Sequence, residues 1–138
     1  MDTNSRPTIM VADDYDDVRS LLKSWLEQHD CRVIEATTGQ EAIDLAERER
    51  PDVIVMDLAM PEVDGFGAAF LIRTQSHLRD VPIIGISAYG ELGIDAQLKI
   101  DPKAVGFNDY IEKPFSAEKL YALVDRYLPK PMHAAKSH

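Results

Sequence analysis

The sequence predicts an α/β fold: a five-stranded parallel sheet, doubly wound, built from five β-α units. Three observations carry that expectation. Short apolar runs alternate with amphipathic stretches along the chain, the pattern of parallel strands joined by right-handed crossovers. The central run, Val53-Ile54-Val55-Met56, is apolar at every position, as a strand covered on both faces must be. It ends in Asp57, after which Leu58-Ala59-Met60-Pro61 stops the strand, because Pro61 lacks an N–H and restricts the residue before it. In open parallel sheets ligands bind beyond the carboxyl ends of the strands. Asp57 therefore stands where such a fold does its chemistry.

Ile9-Met10-Val11-Ala12 reads as the first strand, closed by Asp13-Asp14. Val18, Leu21, Leu22, Trp25 and Leu26 then recur at the spacing of one helical face, with Trp25 assigned to the core. Asp16 is placed to cap this helix and Asp17 suits the positive end of its dipole. Cys31 to Ala36 reads as the second strand. Thr38-Gly39 turns into a second helix carrying Ala42, Ile43, Leu45 and Ala46, which ends near Arg50 before Pro51. After the central strand, Glu62-Val63-Asp64-Gly65 is turn chemistry, and a third helix is expected from Phe66 through Ala69, Phe70 and Ile72 to about His77.

Val81 to Ser87 is the fourth strand, with Pro82 tolerated at its start. Ala88 to Val105 has only a weak helical pattern and holds Gly90, Gly93 and Pro102, so a loop with one short or irregular helix is expected. Phe107 to Ile111 is the fifth strand, stopped by Lys113-Pro114. Ser116 caps a last helix through Leu120, Leu123, Val124, Tyr127 and Leu128, with Glu118 in its first turn. Residues 1–6 and 129–138 are expected to be a disordered segment and a flexible tail flanking a single domain over residues 7–128, with no effector domain.

Composition narrows the function. A chain of 138 residues with 45% hydrophobic and 28% charged residues has the make-up of a globular domain, able to bury about 68% of its unfolded surface. With 15 Lys and Arg against 24 Asp and Glu, the formal charge is −9. Such a chain repels phosphate backbones and has no local basic patch, so direct nucleic-acid binding is not expected. Cys31 is the single cysteine and reads as a small buried hydrophobe. The first residues have no apolar core and no run reaches membrane-spanning length, so a cytoplasmic protein without membrane attachment is expected.

Chemistry-bearing residues gather at strand ends: Asp13-Asp14 after the first, Asp57 after the third, Ser87 after the fourth and Lys113 after the fifth. If the first and third strands are neighbours, three carboxylates converge. At about 4 Å and an effective dielectric of about 20, each like-charge pair costs about 4 kcal/mol. Either some carboxylates are protonated or a cation neutralises them. An all-oxygen pocket suits Mg²⁺. A lysine and a hydroxyl opposite would complete a phosphoryl-binding site in which a carboxylate acts as nucleophile.

These motifs carry a family resemblance. Val11-Ala12-Asp13-Asp14, Met56-Asp57-Leu58-Ala59-Met60-Pro61-Glu62-Val63-Asp64-Gly65, Ile86-Ser87-Ala88 and Tyr110-Ile111-Glu112-Lys113-Pro114-Phe115, in that order, resemble the receiver domain of two-component response regulators, here of the stand-alone type, over residues 7–128. The resemblance implies a flavodoxin-like sheet in the order 2-1-3-4-5. It implies Asp57 as the phosphoacceptor, and Asp14, Asp57, the Ala59 backbone carbonyl and, through water, Asp13 as ligands of Mg²⁺, with Mn²⁺ a possible substitute. Ser87 and Lys113 would bind the phosphoryl group, Tyr110 would switch with Ser87, and the Lys113-Pro114 peptide would be cis.

The implied function is a phosphorelay acceptor that takes phosphate from a histidine kinase or a histidine phosphotransfer protein and changes a protein-interaction face. It would act as a monomer or weak dimer on an unknown downstream protein, and not as a turnover enzyme. The rival readings are a pseudo-receiver that binds a protein without phosphorylation and an aspartate-nucleophile phosphatase. The second needs an aspartate where the chain has Ala59. Three features depart from the family pattern. Ala59 offers no polar side chain to orient water, Tyr89 is bulky enough to shield a phosphoryl group, and the Ala88–Phe107 stretch is long. The first two point to a long-lived phosphoryl-aspartate, the third to an altered output face.

Overall fold

Five parallel strands form one sheet: β1 (Thr8–Ala12), β2 (Arg32–Ala36), β3 (Val53–Asp57), β4 (Ile83–Ser87) and β5 (Asp109–Glu112), in the order β2-β1-β3-β4-β5. This computed structural model describes residues 6–60, 63–87 and 106–129. Among the described residues four helices accompany the sheet: α1 (Asp16–Gln28), α2 (Gly39–Glu49), α3 (Gly65–Arg73) and α4 (Ala117–Tyr127), with a 3-10 turn at Ser76–Leu78. No helix among the described residues is long and apolar enough to cross a membrane. The expected ends at 1–5 and 130–138, and the expected irregular helix between 88 and 105, lie outside the described residues.

The sheet order explains the apolar runs. β3 lies between β1 and β4 and is buried at all five positions. Its side chains alternate between two cores, as strand geometry requires. Ile54 and Met56 join Met10, Ala42, Ala46, Ala69 and Ile72 under α2 and α3. Val53 and Val55 join Ile9, Val11, Leu22, Leu26, Leu120 and Val124 under α1 and α4. Each buried Val, Leu or Ile contributes about 1.5–3 kcal/mol relative to exposure.

Three helix starts are capped as their sequences suggest. Thr38 accepts from the Glu41 N–H at 3.0 Å while Glu41 reaches back to the Thr37 N–H at 2.6 Å. Asp64 accepts from Gly67 N–H at 2.8 Å and Ser116 from Lys119 N–H at 3.2 Å. α1 differs. Tyr15 occupies its N-cap position without a side-chain bond, and Asp16 is already helical, its carboxylate taken by Arg19 at 2.6 Å. Asp16 is therefore not the cap; Asp13 holds the turn instead, accepting from the Tyr15 N–H at 2.9 Å.

Other boundaries shift by a few residues for local reasons. β2 starts at Arg32, because the Cys31 N–H is held by the α1 carbonyl of Leu26 at 3.1 Å; Cys31 itself is buried. β4 starts at Ile83, after Pro82. α3 ends at Arg73, not near His77. The Arg73 guanidinium folds back onto the carbonyls of Leu78, Arg79, Val81 and Gly106, which turns the chain into the 3-10 segment. β5 starts at Asp109, since Phe107 packs edge-on against Phe66 with ring centroids 5.5 Å apart and the Asn108 side chain accepts from the Ile83 N–H at 2.8 Å.

Two apolar faces are narrower than their periodicity suggests. Leu21 and Phe70 face outward, and Trp25 is half-buried, edge-on to Phe115 at 6.1 Å.

Gly65 is a close constraint at the end of β3. A Cβ there would lie 2.4 Å from the Asp57 carbonyl oxygen and 2.7 Å from Leu58 Cα, so α3 starts in contact with the end of β3. Gly65→Ala is expected to lower urea-unfolding stability by about 1–3 kcal/mol. Gly67→Ala, where the nearest atom is 3.4 Å away, should be neutral or stabilising by up to about 1 kcal/mol; equal losses for the two variants would sink the argument.

Candidate functional site

The register of parallel strands assembles the site. Ala12 pairs with Met56, so the residues that follow β1 face Asp57, the last residue of β3. Asp13, Asp14 and Asp57 each offer a carboxylate oxygen within 4.8 Å of the others. Asp57 pairs with Ile86 on β4, which sets Ser87 one residue beyond it, and Ser87 pairs with Glu112 on β5. The Lys113 N–H donates to the Ser87 carbonyl at 2.9 Å, extending the ladder to Lys113. The Lys113-Pro114 peptide is cis.

The environment is low in water. Asp13 and Ser87 are fully buried and Asp57 is 8% exposed, whereas Asp14 is exposed. One oxygen of Asp57 accepts the Ala59 N–H at 3.1 Å. Among the described residues, Asp13 Oδ2 and Ser87 Oγ have no hydrogen-bond partner. A buried polar atom left so costs about 1–3 kcal/mol. Orphaned oxygens beside a carboxylate trio of oxygen-only donors fit a hard divalent cation and an oxyanion. Mg²⁺ fits this donor set.

Burial, more than crowding, sets the proton affinities. The Asp57 carboxyl is pushed up from 3.8 to about 6, first by burial. The Ala59 N–H opposes the rise, the Asp13 carboxylate adds to it, Lys113 lowers it and Asp14 raises it. Asp13 is also raised, again first by burial, against the Tyr15 N–H and the Lys113 and Arg19 charges. Repulsion among the three carboxylates, the main cost expected from the sequence, is a smaller contribution than desolvation.

The remaining sequence candidates fall in different places. Ala59 is exposed at the rim. Tyr110 is half-buried on β5, its ring tilted against Phe107 at 5.3 Å and lying over Gly85, where a Cβ would meet Tyr110 Cε1 at 3.0 Å. Tyr89 lies outside the described residues, as does most of the Ala88–Phe107 stretch. Two residues without a role in the sequence reading border the site. Tyr15 is 66% exposed and, with Asp14, Asp16 and Asp17, lines an open depression of about 320 Å³. Arg19 bonds the Asp13 carbonyl at 2.9 Å. The Asp16-x-x-Arg19 spacing of a helical ion pair was the available signal for Arg19; nothing in the sequence marks Tyr15.

The raised affinity of Asp57 has a measurable consequence in the metal-free protein. The folded chain holds this proton more tightly than the unfolded chain, so the stability it contributes is full below about pH 3.8 and is lost as pH rises through about 6. The loss is about 3 kcal/mol. In EDTA, the unfolding free energy of the wild type relative to Asp57→Asn should therefore fall between about pH 4 and about pH 7. Parallel pH profiles for the two proteins would refute it.

Comparison with known proteins agrees with this geometry. The family model described as the response regulator receiver domain matches residues 9–125. The chain is 34% identical over 137 residues to the probable transcriptional regulator ycf27 of Guillardia theta, covering 99% of this chain and 51% of that protein. It is 38% identical over 128 residues to an uncharacterized 14.6 kDa protein of Leptolyngbya boryana, covering 92% and 94%. The chain thus spans about half the length of the ycf27 relatives and nearly all of the other. Among solved structures it resembles the receiver domain of a sensor histidine kinase from Pseudomonas aeruginosa PAO1, with a magnesium ion coordinated in its active site cleft, at 31% identity and a TM-score of 0.80 over 89% of this chain and 98% of that one. The chemotaxis protein CheY4 of Vibrio cholerae matches at 29% identity and a TM-score of 0.80, over 90% and 100%. By its sheet order, its site and these likenesses, the chain belongs to the response regulator receiver family of two-component signalling.

Proposed function

We propose that this receiver takes one phosphoryl group onto Asp57 from a histidine kinase or a histidine phosphotransfer protein, with Mg²⁺, and thereby changes a protein-interaction face. The observation that carries the proposal is the convergence of Asp13, Asp14 and the buried Asp57 within 4.8 Å, beside the orphaned Ser87 hydroxyl. At pH 7 the Asp57 carboxyl, with its affinity at about 6, is mostly ionised and can attack phosphorus. The P–O bond forms as the donor's P–N bond breaks, and the departing imidazole nitrogen takes up a proton.

Asp14, Asp57, the Ala59 carbonyl and, through water, Asp13 are the residues that would hold Mg²⁺. The cation supplies positive charge to the transferring oxygens and to the carboxylates around them. Lys113 offsets the negative charge, and its ammonium already lowers the proton affinities of Asp57 and Asp13. The Ser87 hydroxyl, without a partner among the described residues, is free to donate to a phosphoryl oxygen. Tyr110, two residues before Glu112 (the cross-strand partner of Ser87), is the residue through which that bond would be sensed. The chain would modify itself and release the phosphate, without turning over an external substrate, in the cytoplasm. It would work as a monomer or weak dimer, through a protein target and not through nucleic acid, in keeping with its charge of −9.

Intact mass after incubation with Mg²⁺ and a small phosphodonor tests the reading. One added phosphoryl group is expected, absent in Asp57→Asn and absent in EDTA; no gain in the wild type would leave a non-phosphorylated binding module. Lifetime is a second observable. Ala59 places only a methyl group two residues beyond Asp57, so no side chain there orients an attacking water. Ala59→Asn should shorten the half-life of the phosphorylated protein by about tenfold, followed as loss of the added mass. An unchanged half-life removes Ala59 as the cause of slow hydrolysis.

A further inference from the structure

Arg19 is a partly buried cation directed at the turn between Asp13 and Asp14, and the phosphoryl chemistry makes no use of it. Its side chain is only 13% exposed. Its hydrogen bonds gather around the turn between β1 and α1. Nη1 donates to the Asp13 carbonyl at 2.9 Å, Nη2 to Asp16 Oδ1 at 2.6 Å and Nε to Glu35 Oε1 at 3.1 Å. The carbonyl is the informative one, because it belongs to the peptide joining Asp13 to Asp14.

That peptide is planar, so fixing its oxygen fixes the direction in which the chain leaves Asp13 and enters Asp14. The preceding peptide is fixed as well, since the Asp13 N–H donates to the Ala36 carbonyl at 3.0 Å. The Asp13 side chain is then held by the Tyr15 N–H at 2.9 Å. With both flanking peptides held, one carboxylate is directed into the buried edge and the next to the exposed rim, both within reach of Asp57.

We propose that Arg19 is a positioning residue for the divalent cation: it holds the Asp13–Asp14 peptide so that the two carboxylates and Asp57 present one oxygen-lined site. The proposal rests on the Mg²⁺ reading above. Asp16 and Glu35 complete the device. A guanidinium beside three carboxylates would otherwise fork onto one of them and take the cation's place. Here its Nε and Nη2 are engaged by two carboxylates outside the trio, and Lys23 also approaches Glu35 at 3.5 Å. The five donors of arginine, in a rigid fork, allow three acceptors to be held at once; a lysine has one point of attachment.

Electrostatics and geometry predict opposite signs, which makes the proposal testable. By charge alone, removing a nearby cation should tighten Mg²⁺ binding. Loss of positioning should weaken it, by about tenfold or more, as for other groups that orient metal ligands. The experiment is calorimetric titration of the unphosphorylated full chain with Mg²⁺ for wild type, Arg19→Gln and Arg19→Lys, with urea unfolding measured on each. Weaker binding by both folded variants is expected. Arg19→Lys keeps the charge, so its loss reads geometry alone and stands if Arg19→Gln fails to fold. Binding by Arg19→Lys as tight as wild type, or tighter binding by a folded Arg19→Gln, overturns the proposal and leaves the phosphoacceptor reading intact. A wild type that takes up no Mg²⁺ overturns both.

Discussion

The burial of an ionisable carboxylate at the end of the central strand is the constraint on which the rest of the structure depends. β3 is enclosed by neighbours on both edges and by helices on both faces, so Asp57 is 8% exposed and desolvation raises its proton affinity more than any neighbour does. A carboxylate in that position makes demands on its surroundings. It needs an N–H donor, supplied by Ala59, and positive charge, supplied in part by Lys113. The backbone must also turn away at once, which the close approach of Gly65 to the Asp57 carbonyl makes possible.

The same enclosure leaves polar groups at the sheet edge unsatisfied. A wet, exposed aspartate would be well solvated and indifferent to phosphate. Here the oxygen atoms of Asp13, Asp14 and Asp57 crowd within 4.8 Å, and the Ser87 hydroxyl and one Asp13 oxygen have no partner among the described residues. The folded chain therefore carries an uncompensated cost at one edge that cation and oxyanion binding would relieve. Away from that edge, two apolar layers cover the faces of the sheet.

The sequence was most legible where a strand is buried on both faces and so reads as an unbroken apolar run. The apolar runs located β1, β3 and β4, and Ser116 caps its helix as expected, while Thr38 and Asp64, read as turn residues, also cap theirs. It misled where a side chain from elsewhere in the chain intervenes. Asp16 has the composition of a cap, yet Arg19 claims it and Asp13 bridges the turn. α3 has periodicity enough to continue, but Arg73 gathers carbonyls from two later segments and ends it. Phe107 has strand propensity, but its ring is drawn into the core beside Phe66 before pairing begins.

What the sequence by itself determined is the identity and order of the candidate site groups, because each lies at or just after a strand end and strand ends can be read from apolar runs and their breakers. Asp13, Asp14, Asp57, Ser87 and Lys113 needed no coordinates to be singled out. Only the tertiary structure decided how those groups behave. Which carboxylate is buried and which is wet, that burial outweighs repulsion, and that Arg19 holds the peptide between two of them all depend on strand register and on contacts between residues up to tens of positions apart. Local pattern carries no information about such distances. Parallel pairing supplies it, since it alone sets β1 beside β3 and gives the central carboxylate its neighbours.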